Sequence, residues 1–184
     1  MVVASESGKT ALKVAKALRG LDVNVVCVTA YAGVRRPLGG EWPQINGEKR
    51  EKLEEFGVKI LDEARWIFGC TFDYAFLKTH TPSKAIHMFL SRTMGYGFKT
   101  AVEIALIAAD VGAVPTDEEV IAIAGTGRTG GGADCAIIIK PAHVYGGEFI
   151  DLEKGAEVKE ILALPRLKFT DYMIRKIKES RSYL

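Results

Sequence analysis

The first thirty residues constrain this chain more than any other stretch, because they read as strand, turn, helix and strand. Val2 and Val3 are β-branched and apolar, as strands favour. Ser5-Glu6-Ser7-Gly8 is a turn cluster, and after it Ala11, Val14, Ala15 and Leu18 recur at i, i+3, i+4 and i+7, the spacing of a helix with one apolar face. Gly20 stands where such a helix closes. Val23 to Thr29 is a near-continuous apolar run, expected of a strand covered on both faces. Two strands joined this way lie parallel with a right-handed crossover. The first strand has only Val2, Val3 and Ala4, shorter than the usual five to six or so. That length raises the expectation of a lost upstream segment, or of a start assigned at Met1 downstream of the true one.

The turn between that strand and helix carries chemistry. A helix N-terminus offers unpaired N–H groups and a partial positive charge. Ser5, Ser7 and Thr10 add hydroxyls, Gly8 permits close backbone approach and Lys9 adds a full charge, a set that suits a phosphate. The same residues also fit an ordinary helix start with Ser7 as its N-cap, so both readings stand. A Walker A loop is excluded, because Val3 occupies the place where that motif requires glycine.

Thr29 ends the second strand, and a long loop follows from Ala30 to Asn46, rich in glycine and carrying Tyr31, Arg35, Arg36 and Trp42. Loops leaving the carboxyl ends of parallel strands hold ligands, which makes Thr29 and Tyr31 candidates; a plain solvent loop fits equally. Gly47 to Phe56 reads as a charged surface helix and Val58 to Leu61 as a third strand. Ala64 to Leu77 has no clean period and its structure stays open. Thr81-Pro82-Ser83 starts a helix that Met94-Gly95-Tyr96-Gly97 should break. A long apolar helix is expected over Lys99 to Val111, with Glu103 read as the surface partner of Lys99 at i, i+4.

A fourth strand, Glu119 to Ala124, runs into Gly125-Thr126-Gly127-Arg128-Thr129-Gly130-Gly131-Gly132-Ala133-Asp134. So much glycine is conformationally costly, and a single arginine among it is a good fork for phosphate. A dinucleotide fingerprint would lead into a helix. Here Cys135 to Lys140 reads as another strand, so the segment is either a ligand loop or a surface hairpin, and its glycine content favours the former. His143 is read as structural. Val158 to Leu164 is a last strand, and Thr170 to Ser182 a basic helix that docks on the body or on a partner.

Composition narrows the class. At 184 residues, 48% hydrophobic and 26% charged, the chain can bury one good core. A net charge of +2 does not point to nucleic acid, no apolar run is long enough for a membrane span, and Lys9 and Lys13 interrupt any signal-peptide core. Cys27, Cys70 and Cys135 are far apart, and Cys27 and Cys135 lie in apolar runs, as buried thiols in a reducing cytoplasm would. No metal-ligand spacing joins His80, His87 and His143.

With both glycine-rich segments in hand, the chain resembles the C-terminal α/β domain of pyruvate kinase, and more closely the stand-alone archaeal and bacterial proteins of that alpha/beta domain family. The resemblance is carried by Val2 to Ala11, by Gly97-Phe98-Lys99-Thr100-Ala101-Val102-Glu103-Ile104 running to Asp110, by Gly125 to Asp134, by Lys140-Pro141-Ala142-His143 and by Leu164-Pro165-Arg166. It implies a three-layer α/β/α sandwich over residues 1–166 with a mainly parallel, mixed sheet, and leaves 167–184 as a tail. It places Ser5, Ser7, Gly8, Lys9 and Thr10 on a first phosphate loop. It places Arg128, with Gly125, Thr126 and Gly127, on a second anion-holding loop. It also suggests flavin mononucleotide as a bound ligand. The kinase's catalytic barrel is absent, so kinase activity is not implied.

The expected function is therefore a binding or regulatory domain for a phosphorylated small molecule, with no nucleic acid or membrane partner and with homo-oligomers admissible. A flavin-dependent oxidoreductase is the alternative, and an interaction protein acting through its basic tail a third class.

Overall fold

A computed structural model describes residues 1–36, 39–68, 81–126 and 132–168. In chain order the elements are β1 (Val2–Ala4), α1 (Lys9–Ala17), β2 (Val26–Val28), α2 (Ala32–Arg35), α3 (Gly47–Glu55), β3 (Lys59–Leu61), α4 (Pro82–Thr93), α5 (Tyr96–Asp110), β4 (Val120–Ala124), β5 (Cys135–Lys140) and β6 (Glu157–Ala163). The expected basic helix over Thr170 to Ser182 and the stretch from residue 69 to Leu77 lie outside the described residues.

The strands form one sheet in the order β3-β2-β1-β4-β5-β6. β3, β2, β1 and β4 run parallel, whereas β5 is antiparallel to both β4 and β6. The fold is thus α/β with a mixed sheet, and the strand after the second glycine-rich segment runs back against β4 as expected.

Side chains alternate between faces, as the pleat requires. Val2, Val26, Val28, Ala122, Ala124, Cys135, Ile137 and Ile139 join one core cluster with Ala101, Ile104, Ala105, Ile107 and Ala108 of α5. Val3, Val25 and Cys27 point the other way, into a second cluster with Ala11 and Ala15 of α1 and Leu53 of α3. Alanines on α5 let its axis come close to the strands, and isoleucines from β5 fill the space. Ile137 and Ile139 are fully buried, each stabilising by about 1.5–3 kcal/mol.

Several boundaries differ from the expectations. β2 is only Val26–Val28, because Val23 is exposed and Val25 precedes the ladder. The loop after it contains the short helix α2. The break before α5 is Met94-Gly95 alone, with Gly95 at φ 105, while Tyr96 and Gly97 already belong to the helix. Lys99 and Glu103 do pair at i, i+4, but the pair is buried rather than on the surface.

Candidate site at the carboxyl edge of the sheet

Four parallel strands end at the same edge, and the segments leaving them carry most of the expected site. The turn after β1 is built on Ser5, whose Oγ accepts the Thr10 N–H at 3.2 Å inside the protein. The N-cap position belongs to Gly8, and Ser5 supplies the capping hydroxyl, so Ser7 is not the cap that the sequence suggested. Gly8 has φ +76, and a Cβ there would sit 3.2 Å from Leu53 Cδ1, so glycine at this place serves the turn and its packing on α3. Ser5 and Thr10 are buried, Ser7 is half-buried and Lys9 is exposed. The outward chemistry of the turn is therefore the Ser7 hydroxyl, the Lys9 ammonium and the first-turn N–H groups of α1 other than that of Thr10. The exposed Glu6 carboxylate stands beside them.

Thr29, directly after β2, ties this turn to its neighbour. Its buried hydroxyl donates to the Glu6 carbonyl at 3.1 Å, its N–H donates to Leu61 O, and its carbonyl accepts the Trp66 indole N–H at 3.4 Å. Tyr31 stands edge-to-face with Trp66, ring centroids 6.3 Å apart. Trp42 repeats the pattern one strand further out: its indole N–H donates to the carbonyl of Asp62, the residue after β3, at 3.0 Å, and the Arg36 guanidinium lies 5.6 Å over its ring. The Asp62 carboxylate is held by Arg50 of α3.

β4 lies on the other side of β1, with Val2 opposite Ala122 and Val3 opposite Ile123. Gly125 and Thr126 leave β4 as Ser5 and Glu6 leave β1, its parallel neighbour. A Cβ on Gly125 would fall 1.7 Å from Gly132 O, so only glycine permits this approach of the two chain segments. The Thr126 N–H donates to Asp134 Oδ1 at 2.8 Å. The segment is therefore closed at its base by specific contacts. The Thr126 hydroxyl is buried and finds no hydrogen-bond partner among the described residues. Gly97, in the first turn of α5, abuts the same base: a Cβ there would lie 3.0 Å from Cys135 Cβ. Gly127 and Arg128 lie outside the described residues.

Behind this edge sits a buried polar cluster. Glu103 accepts the Phe68 N–H at 2.7 Å on one oxygen and the Lys99 ammonium at 2.8 Å on the other. Lys99 also lies 4.4 Å over the Tyr96 ring, and His87 meets that ring edge-on. Burial, with the Lys99 and Lys84 charges, pushes the His87 imidazole down to about 3, against a hydrogen bond to the Phe68 backbone that raises it.

The structure brings together Ser5, Ser7, Gly8, Lys9, Thr10, Thr29 and Tyr31 along the carboxyl edge, with Gly125 and Thr126 directly after the adjoining strand β4. Sequence reasoning missed Trp66, Asp134 and the Glu103–Phe68 bond. Trp66 was findable, since it follows the carboxyl end of β3 as Tyr31 follows that of β2. A groove of about 520 Å³ lies apart from this site, at the far end of α1, lined mainly by Leu18, Leu21, Val23 and Phe56 with Arg19 and Glu55. No group of His, Cys, Asp and Glu among the described residues could hold a metal ion, and no described helix is long and apolar enough to cross a membrane. No known protein-family model matches the chain.

Proposed function

We propose that this chain is a binding or regulatory domain for a phosphorylated small molecule, of the pyruvate kinase C-terminal α/β type with helices on both faces of the sheet. The pairing of β1 with β4 carries the reading. The chain winds outward from β1 through β2 to β3, then returns to the other side of β1. In open α/β sheets such a reversal leaves a crevice outside the carboxyl ends of the two strands, where ligands bind. Ser7, Lys9 and the start of α1 would line one wall of that crevice, and Gly125 and Thr126, which leave β4, would border the other. A phosphate would accept from Ser7, Lys9 and the first-turn N–H groups, and flavin mononucleotide and simple nucleotides are the ligands of choice. The buried thiols of Cys27 and Cys135 support a reducing, cytoplasmic setting.

Titration calorimetry with flavin mononucleotide tests the assignment, with Ser7→Ala/Lys9→Ala as the variant. Both side chains face outward, so the fold survives. Affinity should fall about 10-fold or more, given roughly 1.5–3 kcal/mol for each charge-assisted bond. Equal affinity in wild type and variant would remove the turn from the site.

A further inference from the structure

Thr29 joins two features that nothing in the sequence connects. Its hydroxyl holds the turn after β1 through Glu6 O, and its carbonyl holds Trp66. The indole is thus fixed one residue away from the proposed phosphate turn. One side of Trp66 packs on the core cluster beneath α5, and the ring remains half-exposed. Tyr31 braces it edge-to-face and is itself seated over Gly33, where a Cβ would lie 2.8 Å from the ring. Phe68, two residues beyond Trp66, is anchored to Glu103. The segment bearing Trp66 is therefore held at both ends.

We propose that Tyr31 and Trp66 form a docking wall for a flat heteroaromatic ring, so that the ligand is a phosphate monoester carrying such a ring rather than a sugar phosphate. The inference rests on the phosphate reading of the Ser7–Lys9 turn and assigns the residues on which the ring of such a ligand would stack. Rigid aromatic rings beside a cationic turn recognise base-like groups through stacking, which every heteroaromatic ring can supply and an aliphatic sugar cannot. Trp66 is pre-set by its hydrogen bond to Thr29 and Tyr31 by its edge-to-face contact with that indole, which lowers the ordering cost of binding.

The test compares flavin mononucleotide and adenosine monophosphate with ribose 5-phosphate and inorganic phosphate, read by calorimetry and by tryptophan fluorescence in a Trp42→Phe background that leaves Trp66 as the sole tryptophan. The ring-bearing probes should bind about 10-fold or more tighter than ribose 5-phosphate and quench Trp66. Trp66→Leu should bring them down to the affinity of ribose 5-phosphate while leaving ribose 5-phosphate itself unchanged. Tyr31→Leu provides the same comparison should Trp66→Leu fail to fold. Equal binding of ring-bearing and ring-free phosphates by the wild-type wall, or equal weakening of all probes by both variants, would overturn the wall and leave the phosphate reading intact. Failure of every probe to bind overturns the phosphate reading and the wall with it.

Discussion

The Lys99 ammonium and the Glu103 carboxylate, one turn apart on α5, meet at 2.8 Å inside the protein, each side chain 4% exposed. A pair at this spacing on a helix surface contributes only about 0.3–0.5 kcal/mol. Buried, it has a different role. The second carboxylate oxygen takes the Phe68 N–H, and the ammonium rests on the Tyr96 face, so every charge has a partner. The pair couples α5 to the segment that carries Trp66.

Removing one charge should therefore cost far more than removing both. Glu103→Gln keeps an acceptor for Phe68 but takes the carboxylate charge away from the buried Lys99 ammonium, and should destabilise by about 3–5 kcal/mol. Lys99→Met/Glu103→Gln removes the buried ammonium as well while keeping that acceptor, and should recover most of the loss. Urea denaturation of the two variants measures the difference. A double variant no more stable than Glu103→Gln would show that the pair itself, and not the buried ammonium left by the single change, carries the energy.

His87 gives the fold a pH dependence with a definite sign. Its imidazole is held near 3 in the folded protein against an ordinary value of 6.5, mainly by burial and then by Lys99 and Lys84. Below 6.5 the unfolded chain takes up a proton that the folded chain refuses, so stability falls with pH from 6.5 down to about 3 and is fully restored above 6.5. His87→Gln, which cannot titrate, should flatten the urea midpoint between pH 7 and pH 5 relative to wild type. Parallel pH profiles for the two proteins would contradict this assignment.

How much of this was legible depended on periodicity. The first βαβ unit, the parallel β1–β2 pair and the antiparallel return of β5 all follow from apolar runs and glycine placement, and all are present. Polar identity was harder. Lys99 and Glu103 look like surface residues because isolated charges rarely enter a core. Their burial depends on Phe68 and Tyr96, contacts that a spacing rule does not contain. Ser5 and Ser7 are equivalent by composition, and only the folded turn shows that Ser5 takes the Thr10 N–H. Trp66 sits in a stretch without a clean period, so its position became readable only once β3 was placed.

The cysteines report on the same core. Burial pushes the Cys27 thiol up to about 12, with Asp62 adding to it and Arg50 opposing it. Burial likewise pushes Cys135 up to about 11, reinforced by Asp134 and opposed by Lys168. The thiolate is the reactive form, so neither should react in the folded protein at pH 8. With Cys70 replaced by serine, an aromatic disulfide reagent should label no thiol in the native protein and both after unfolding in guanidinium. Rapid native labelling would place one of them at the surface.

Ser5 and Ser7 separate folding from binding within one turn. Ser5 Oγ is the acceptor for the Thr10 N–H, and its side chain is buried. Ser5→Ala should therefore cost about 0.5–2 kcal/mol of stability, the usual loss when a helix cap is deleted. Ser7 makes no capping bond and is half-buried in the turn proposed to hold phosphate. Ser7→Ala should leave stability within about 0.5 kcal/mol of wild type, as substitutions away from caps and core do. It should nonetheless weaken inorganic phosphate, because one hydroxyl donor is lost where the anion would sit. Thermal unfolding and phosphate titration on the two single variants give a crossed pattern: Ser5→Ala moves the melting temperature more, and Ser7→Ala moves the affinity more. If Ser7→Ala lowers the melting temperature as much as Ser5→Ala and leaves phosphate affinity unchanged, both serines serve the helix and the turn holds no anion.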